Sequence, residues 1–594
     1  MSPAARVARL RAEMRRAKLD AYLVPSTDPH QSETTPARWQ RRQWLTGFTG
    51  SVGDALVAAR EAHLWIDSRY FIQAEQELAG SGITLQRQGR RGVPTLTKWI
   101  EDHLAEGQVL GVDPELVSLT ALDDLRRSAA RAGARVRLVE RNLVDAVRGD
   151  VPPLPAEDVW RHPSRYAGRT TSDKLAAVRA LMERERADAL VETRLDSIAW
   201  LFNIRGGDVE HTPVAVAYGV VARDGAALYI DRAKVQHGVE RSFGRAVSVR
   251  PYGAIAADLR DLAGKRVWVD PGAASARIGQ ALKGAVLVRK PGPIQGLKAR
   301  KNQVEIEGAR RAHLRDAVAL ARFLCWLDEA VERERVTELS AAAGLEALRA
   351  EAPLSRGPSF RTISAVGSHG AIVHYTPSPG SDRVLRRGGI YLVDSGGQYL
   401  DGTTDVTRTV LLGGEATAEQ REAFTRVLKG MIAFATVRFP AGTSGMQLDV
   451  LARRSLWEAG LDYGHGTGHG VGSFLGVHES PPGVAPRRMP EVPLEAGHIL
   501  SNEPGIYRKG RFGVRTENLM LVVRDGELSR RGDTFLRFET LTLCPIDRRL
   551  IDVSLLASHE RRWLDAYHAE IARLVGPELS RREKIWLRAA TRRL

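Results

Sequence analysis

The chain is 594 residues long, which at roughly 150 residues per domain leaves room for about four domains or for fewer, larger ones. Its 43% hydrophobic and 27% charged residues are ordinary globular usage and exclude a wholly disordered, collagenous or membrane-spanning chain. The 87 Lys and Arg against 71 Asp and Glu leave a net charge of +16, which raises acidic partners such as nucleic acid or an anionic membrane before any motif is read.

The Arg-rich opening has the look of a transit peptide, but Glu13 and Asp20 interrupt it and it runs directly into the strand-like Asp20-Ala21-Tyr22-Leu23-Val24. No window approaches the roughly 20 apolar residues of a membrane span. Two cysteines, Cys325 and Cys544, sit in apolar surroundings and read as core thiols of a reducing compartment. The expectation is a cytoplasmic protein with no membrane contact.

Four landmarks recur in order through the first half. Asp20-Ala21-Tyr22-Leu23-Val24 is answered by Asp188-Ala189-Leu190-Val191, and Trp44-Leu45-Thr46-Gly47-Phe48 by Trp200-Leu201-Phe202-Asn203-Ile204. Leu64-Trp65-Ile66-Asp67 is answered by Leu228-Tyr229-Ile230-Asp231, and Val112-Asp113-Pro114 by Val269-Asp270-Pro271. A unit of about 160 residues is therefore present twice, each copy an α/β pattern of short apolar strands, helices and Gly-rich turns. The Pro-rich 151–155 makes a first linker and 290–293 a second, after which Asn302 to Val331 carries helix-period apolar residues. The division is 1–150, 151–297 and 298–594, the second domain repeating the first.

Chemistry is concentrated in the third domain. Gly389 to Asp394 is an apolar strand ending in a carboxylate, and Asp405 to Val410 is one beginning with a carboxylate, so an antiparallel return brings Asp394 and Asp405 to the same end of a ribbon. Gly464-His465-Gly466-Thr467-Gly468-His469-Gly470-Val471-Gly472 is not the helical zinc motif, because its glycines and missing glutamate exclude it; it suggests backbone pressed close to something. Glu503 precedes a Pro-Gly turn, and Glu517 precedes an apolar strand, with Arg515 on the same face if both lie on one strand. Asp394, Asp405, Glu503 and Glu517 bring four negative charges that two divalent cations neutralise, with neutral His469 as a fifth ligand. Such a donor set favours Mn(II) or Co(II) with Zn(II) as an alternative. Two cations clamping a hydroxide and polarising a carbonyl make metal-assisted hydrolysis the reaction class.

These blocks, Tyr391 to Gly396, Asp401 to Thr409, His465 to Gly472, Asn502 to Gly505 and Arg515 to Asn518, resemble eukaryotic-type cytosolic Xaa-Pro aminopeptidases, aminopeptidase P of peptidase family M24. Gly47 to Ser51, Asp67 to Phe71, Arg310 to His313 and Leu541 to Pro545 extend the likeness over nearly the whole chain. The resemblance implies an α/β (α+β) chain: two creatinase-like N-terminal domains followed by a pita-bread catalytic domain with a C-terminal extension. It implies Asp394, Asp405, His469, Glu503 and Glu517 as ligands of two divalent ions, Mn(II) foremost. It implies substrate-steadying or proton-shuttling roles for His374, His465 and His478, water deprotonation by Glu503, and supporting roles for Arg515 and Tyr507. Asn502 stands where an acidic residue is common; that position is not a ligand, so activity is expected to survive.

Peptides with proline at the second position are the expected substrates, and the resemblance suggests a homodimer. The nearest rival is a prolidase, which cleaves only Xaa-Pro dipeptides; methionine aminopeptidases lack two large N-terminal domains, and an inactive pita-bread binding protein is disfavoured by the complete ligand set. The arginines are scattered without aromatic interleaving, so no specific nucleic-acid partner is expected. Met446 and Met489 carry no functional reading and are expected to pack.

Overall fold

The computed structural model describes residues 1–486 and 491–594. The chain divides into two compact units, residues 1–162 with 169–294 and residues 163–168 with 295–594. In the first unit the Arg-rich opening is the helix Pro3–Arg16, started by Ser2, whose hydroxyl accepts the Ala5 N–H. Its Val7, Leu10 and Met14, spaced three and four apart, form the buried stripe of an amphipathic helix.

Two six-stranded sheets follow. The first contains β1 (Ala21–Val24), β2 (Asp54–Ala58), β3 (Ala62–Ile66), β4 (Thr84–Arg87), β5 (Val109–Val112) and β6 (Arg135–Leu138), ordered β4-β3-β2-β1-β5-β6. The second contains β7 (Ala189–Glu192), β8 (Ala217–Ala222), β9 (Ala226–Ile230), β10 (Val247–Pro251), β11 (Arg266–Val269) and β12 (Val286–Arg289), and repeats that order as β10-β9-β8-β7-β11-β12. The recurring aspartates have a physical reason. Asp20 and Asp188 each accept the first backbone N–H of the neighbouring parallel strand, from Val109 at 2.8 Å and Arg266 at 2.9 Å. Asp67 and Asp231, and Asp113 and Asp270, each accept the N–H two residues on, a turn that ends a strand.

The two sheets join reciprocally. Leu119 N–H donates to Ala274 O and Ala276 N–H to Val117 O; Thr120 N–H donates to Pro271 O and Arg277 N–H to Pro114 O, all at 2.8–2.9 Å. Each bond maps onto its counterpart under the repeat, so the copies pair as an isologous dimer would. Leu119 packs in the core of the second sheet, and Ala276 in that of the first.

The second unit opens on the long helix Gln303–Arg333, capped by Asn302, whose side chain accepts from Val304 and Glu305 N–H. A three-stranded antiparallel sheet is ordered β13-β14-β15: β13 (Ile363–Val366), β14 (Ile390–Ser395) and β15 (Val406–Leu411). A second sheet has six strands: β16 (Arg438–Pro440), β17 (Gly468–Gly470), β18 (Glu479–Val484), β19 (Ile499–Asn502), β22 (Asn518–Arg524) and β23 (Phe535–Thr540), ordered β16-β23-β22-β19-β17-β18. Between β19 and β22 the chain forms a separate hairpin, β20 (Gly505–Arg508) with β21 (Phe512–Arg515). The helices Ala418–Thr436 and Ser558–Val575 bury Phe424, Val427, Met431, Leu564 and Ile571 in one core with Ile390, Leu411 and Val514. Cys325 and Cys544 are both buried and free. Among the described residues no helix is long and apolar enough to cross a membrane.

Candidate metal centre

Register sets the first two carboxylates. β14 pairs β15 with Asp394 opposite Thr407, and Asp405 immediately precedes β15. Because side chains alternate along a strand, Asp394, Asp405 and Thr407 share one face. β19 pairs β22 with Asn502 opposite Asn518, so Glu503 and Glu517 lie side by side just beyond that pair. Glu517 N–H donates to Thr407 O at 3.1 Å and Glu503 N–H to Thr467 O at 2.8 Å, tying both glutamates to the segments carrying Asp405 and His469. Buried Arg408 strengthens the junction: it donates to Thr407 O, Glu517 O, Asn518 Oδ1, Cys544 O and the Tyr567 hydroxyl.

His469, in the middle of β17, places Nε2 3.5 Å from Asp405 Oδ2 and 3.4 Å from Glu503 Oε1. One ligand atom each from Asp405, His469 and Glu517 lie within 4.8 Å of one another. Arg515 donates to Asp394 Oδ2 at 2.5 Å, to Thr407 Oγ1 at 3.1 Å and to the Tyr507 hydroxyl at 2.8 Å; Thr407 Oγ1 in turn donates to Glu517 Oε2 at 2.7 Å. Tyr507 and His465 Nε2 are 2.8 Å apart, and His465 Nδ1 is 2.7 Å from Gly466 O. A carbonyl only accepts, so Nδ1 carries a proton, and Nε2 is the nitrogen that meets the Tyr507 hydroxyl at the end of an Arg515–Tyr507 chain. His478 is exposed, with its ring 4.4 Å from that of His469, edge to face. His374 is half-buried on the stretch between β13 and β14.

The donor set fits a pair of cations on three counts. Asp394 Oδ1 and Glu517 Oε1 are buried without a hydrogen-bond partner among the described residues. Burial pushes Asp394 up to about 7 although Arg515 pulls it down, with Asp405 adding to the rise. Burial likewise raises Glu503 and Glu517, with Asp405 contributing to both. Burial opposes charge on His469, but Asp405 and Glu503 outweigh it and push its pKa up to about 9. Its Nδ1 is 2.9 Å from Gly470 O and so holds a proton there. The two carboxylates therefore favour a proton on Nε2 as well, the position that a divalent ion would take in its place.

Residues 307–524 match metallopeptidase family M24, and residues 534–594 the C-terminal region of peptidase M24. Residues 6–148 and 150–305 match two creatinase/prolidase N-terminal domain families. A probable Xaa-Pro aminopeptidase P of Neosartorya fischeri is 42% identical over 581 residues, spanning 95% of this chain and 88% of the relative. The chain belongs to the Xaa-Pro aminopeptidase P family of M24 metallopeptidases. A second member, from Laccaria bicolor, is 42% identical over 602 residues, spanning 98% of this chain and 92% of its own. The crystal structure of an X-prolyl aminopeptidase from Caenorhabditis elegans, described as a cytosolic enzyme with a di-nuclear active site, superposes with a TM-score of 0.97 at 36% identity over the whole of both chains. An Xaa-Pro dipeptidase from Bacillus anthracis, at 23% identity and a TM-score of 0.52 over 64% of this chain, shares the fold. The mixed α/β architecture, with creatinase-like N-terminal domains ahead of an M24 catalytic domain, is thus a family property.

Two expectations for this aminopeptidase P family member need correction. Arg515 and Glu517 do not share a strand: Arg515 ends β21 and Glu517 precedes β22, in different sheets, and the two meet through Thr407 Oγ1. Met446 does not pack; it is 43% exposed on the helix Gly445–Trp457, while Met489 lies outside the described residues. Asn502 Nδ2 donates to Met431 O at 2.8 Å, in the core rather than among the carboxylates. Thr407 and Ser501 were missed. Ser501 Oγ accepts the His469 N–H and donates to Glu503 Oε1. Strand alternation from Asp405 to Thr407, and from Ser501 to Glu503, was the available signal.

Proposed function

We propose that this chain is an aminopeptidase that releases the N-terminal residue from peptides whose second residue is proline, using two divalent metal ions held by Asp394, Asp405, His469, Glu503 and Glu517. The observation that carries this reading is the gathering of Asp405, Glu503 and Glu517 around one imidazole, with Asp394 tied to the same group through Arg515 and Thr407, in a chain of this family. Mn(II) is the metal we favour, because carboxylates outnumber nitrogen ligands. When bound, two such ions supply an activated water and polarise the scissile carbonyl.

The residues of the chain do the rest. The Xaa-Pro bond is a tertiary amide without an N–H, so recognition uses the free amine, the carbonyl and the pyrrolidine ring. Glu503, held by Ser501, takes the proton of the attacking water and returns it to the proline nitrogen as that bond breaks. His374 or His478 donates to the developing oxyanion. Arg515 keeps a fixed positive charge against Asp394 and orients Tyr507, which donates to His465. Glu503→Gln with its metal content preserved abolishes turnover; near-normal activity would remove this role. Chelation abolishes activity and Mn(II) restores it, and comparing a dipeptide with a longer Xaa-Pro-Yaa peptide separates aminopeptidase from prolidase action.

The three-part division 1–150, 151–297 and 298–594 is kept as part of the reading, supported by family matches that break near 149 and 306. A cytoplasmic location follows the relative described as cytosolic. A homodimer is supported by the helix Gly445–Trp457, where Met446, Val450 and Trp457 are 43%, 43% and 48% exposed at helical spacing. Val450→Asp combined with Trp457→Asp is expected to give a monomer by light scattering if that stripe is the interface.

A further inference from the structure

Glu338 opens the helix Glu338–Ala350 and is fully buried. Its carboxylate is filled with donors: Val366 N–H at 2.8 Å and His369 Nδ1–H at 2.9 Å to Oε1, the Tyr375 hydroxyl at 2.9 Å and Arg383 N–H at 3.2 Å to Oε2. Its main chain is tied down as well: Glu338 N–H donates to Arg383 O at 2.9 Å, and Glu338 O accepts the Ser364 hydroxyl at 2.7 Å. A buried carboxylate is costly unless its lone pairs are occupied. Among the described residues these partners come from β13 and from the excursion 367–383 that leaves it.

That excursion carries His374. Glu338 grips both its ends, at Val366 and Arg383, and its middle, at His369 and Tyr375, whose rings lie 4.2 Å apart. Tyr375 directly follows His374, is buried, and also lies 3.0 Å from Ser381 Oγ. β13, where the excursion starts, pairs with the strand of Asp394: Ile363 faces Asp394, and Ser364 Oγ is 2.6 Å from the Tyr391 hydroxyl. One carboxylate therefore references the backbone around His374 to the strand that carries a metal-binding aspartate.

We propose that Glu338 and Tyr375 are positioning residues that hold His374 in register with the metal centre, so that its imidazole meets the oxyanion as it forms. This rests on His374, of the two histidines named above, being the oxyanion donor. Donors to a developing charge act through placement, and a small misplacement costs rate rather than binding. A purely structural role for the pair would instead lower stability or metal content and add independently to any other lesion.

The test is a double-mutant cycle on the full-length, metal-loaded chain, with elemental analysis of bound metal and steady-state kinetics on an Xaa-Pro-Yaa peptide. Tyr375→Phe is expected to lower kcat about 10-fold or more with KM and metal stoichiometry unchanged. In a His374→Ala background the same substitution is expected to cost nothing further, because Tyr375 acts through His374. Glu338→Gln, which keeps the shape but not the charge, is the second variant and should behave in the same way. Multiplicative losses in the cycle, or a fall in kcat that tracks lost metal, would overturn the positioning role alone. If His374→Ala leaves kcat intact, the oxyanion role of His374 fails and the proposal falls with it.

Discussion

Thr407 Oγ1 accepts from Arg515 and donates to Glu517, so one hydroxyl couples the fixed cation of the site to one of its carboxylates. Thr407→Val keeps the shape and removes both bonds. Groups that hold a metal ligand in place typically contribute 10–100-fold in affinity, so the variant is expected to bind metal roughly that much more weakly. Metal titration of the stripped protein reads this directly, and wild-type affinity would show the hydroxyl to be dispensable. The carboxylates and His469 stood out in the sequence because burial of such groups needs a reason. Thr407, Ser501, Glu338 and Tyr375 are ordinary residue types whose partners lie far along the chain, and only the fold reveals the pairings.

At the scale of elements, glycines decide how closely β17 approaches its neighbours. A Cβ on Gly468 would stand 2.0 Å from Ser501 O, and one on Gly470 2.6 Å from Glu479 O, both backbone atoms that cannot swing aside. Gly468→Ala is expected to push β17 from β19, costing about 1–3 kcal/mol or more and drawing His469 away from Glu503. A lowered melting temperature together with substoichiometric metal would show it; unchanged values would mean that the sheet adapts. The strands carrying Asp394 and Asp405 were legible from apolar runs ending in a carboxylate. The hairpin between Glu503 and Glu517 was not, because its residues continue the same β-rich pattern while leaving the sheet.

Across the whole molecule, the net charge of +16 coexists with many arginines engaged in ion pairs, such as Arg41 with Asp145, Arg349 with Asp316 and Arg453 with Asp449. Acid sensitivity is a sharper consequence of electrostatics. His498 Nδ1 accepts the Glu495 N–H and His568 Nε2 accepts the Ile546 N–H, so both act as neutral rings. Burial, aided by Lys301 and Arg300, pushes His498 down to about 3. Burial, with Arg408 and Arg548, pushes His568 down to about 4. An unfolded chain takes up protons near pH 6.5 that the folded one refuses. Stability from these groups is therefore fully present above about pH 6.5 and lost as pH falls toward the folded values, on the order of 3 kcal/mol for His568 alone. The urea midpoint should fall between about pH 7.5 and 5, and His568→Gln, which can still accept the Ile546 N–H, should flatten the fall. An equal slope in the variant would assign the acid sensitivity elsewhere.

The linear chain by itself carried the duplicated α/β unit, because each copy needs aspartate at the same strand ends to accept otherwise unpaired backbone N–H groups. It also carried the inventory of carboxylates and imidazole, since local strand patterning marks where such groups are buried. Tertiary structure alone decided how the copies pair, through reciprocal bonds between residues 114–120 and 271–277. It alone decided that Arg515 and Glu517 meet through Thr407 from separate sheets, and that Glu338 grips the backbone around His374. These depend on strand register and on contacts between distant segments, which periodicity along a chain does not encode.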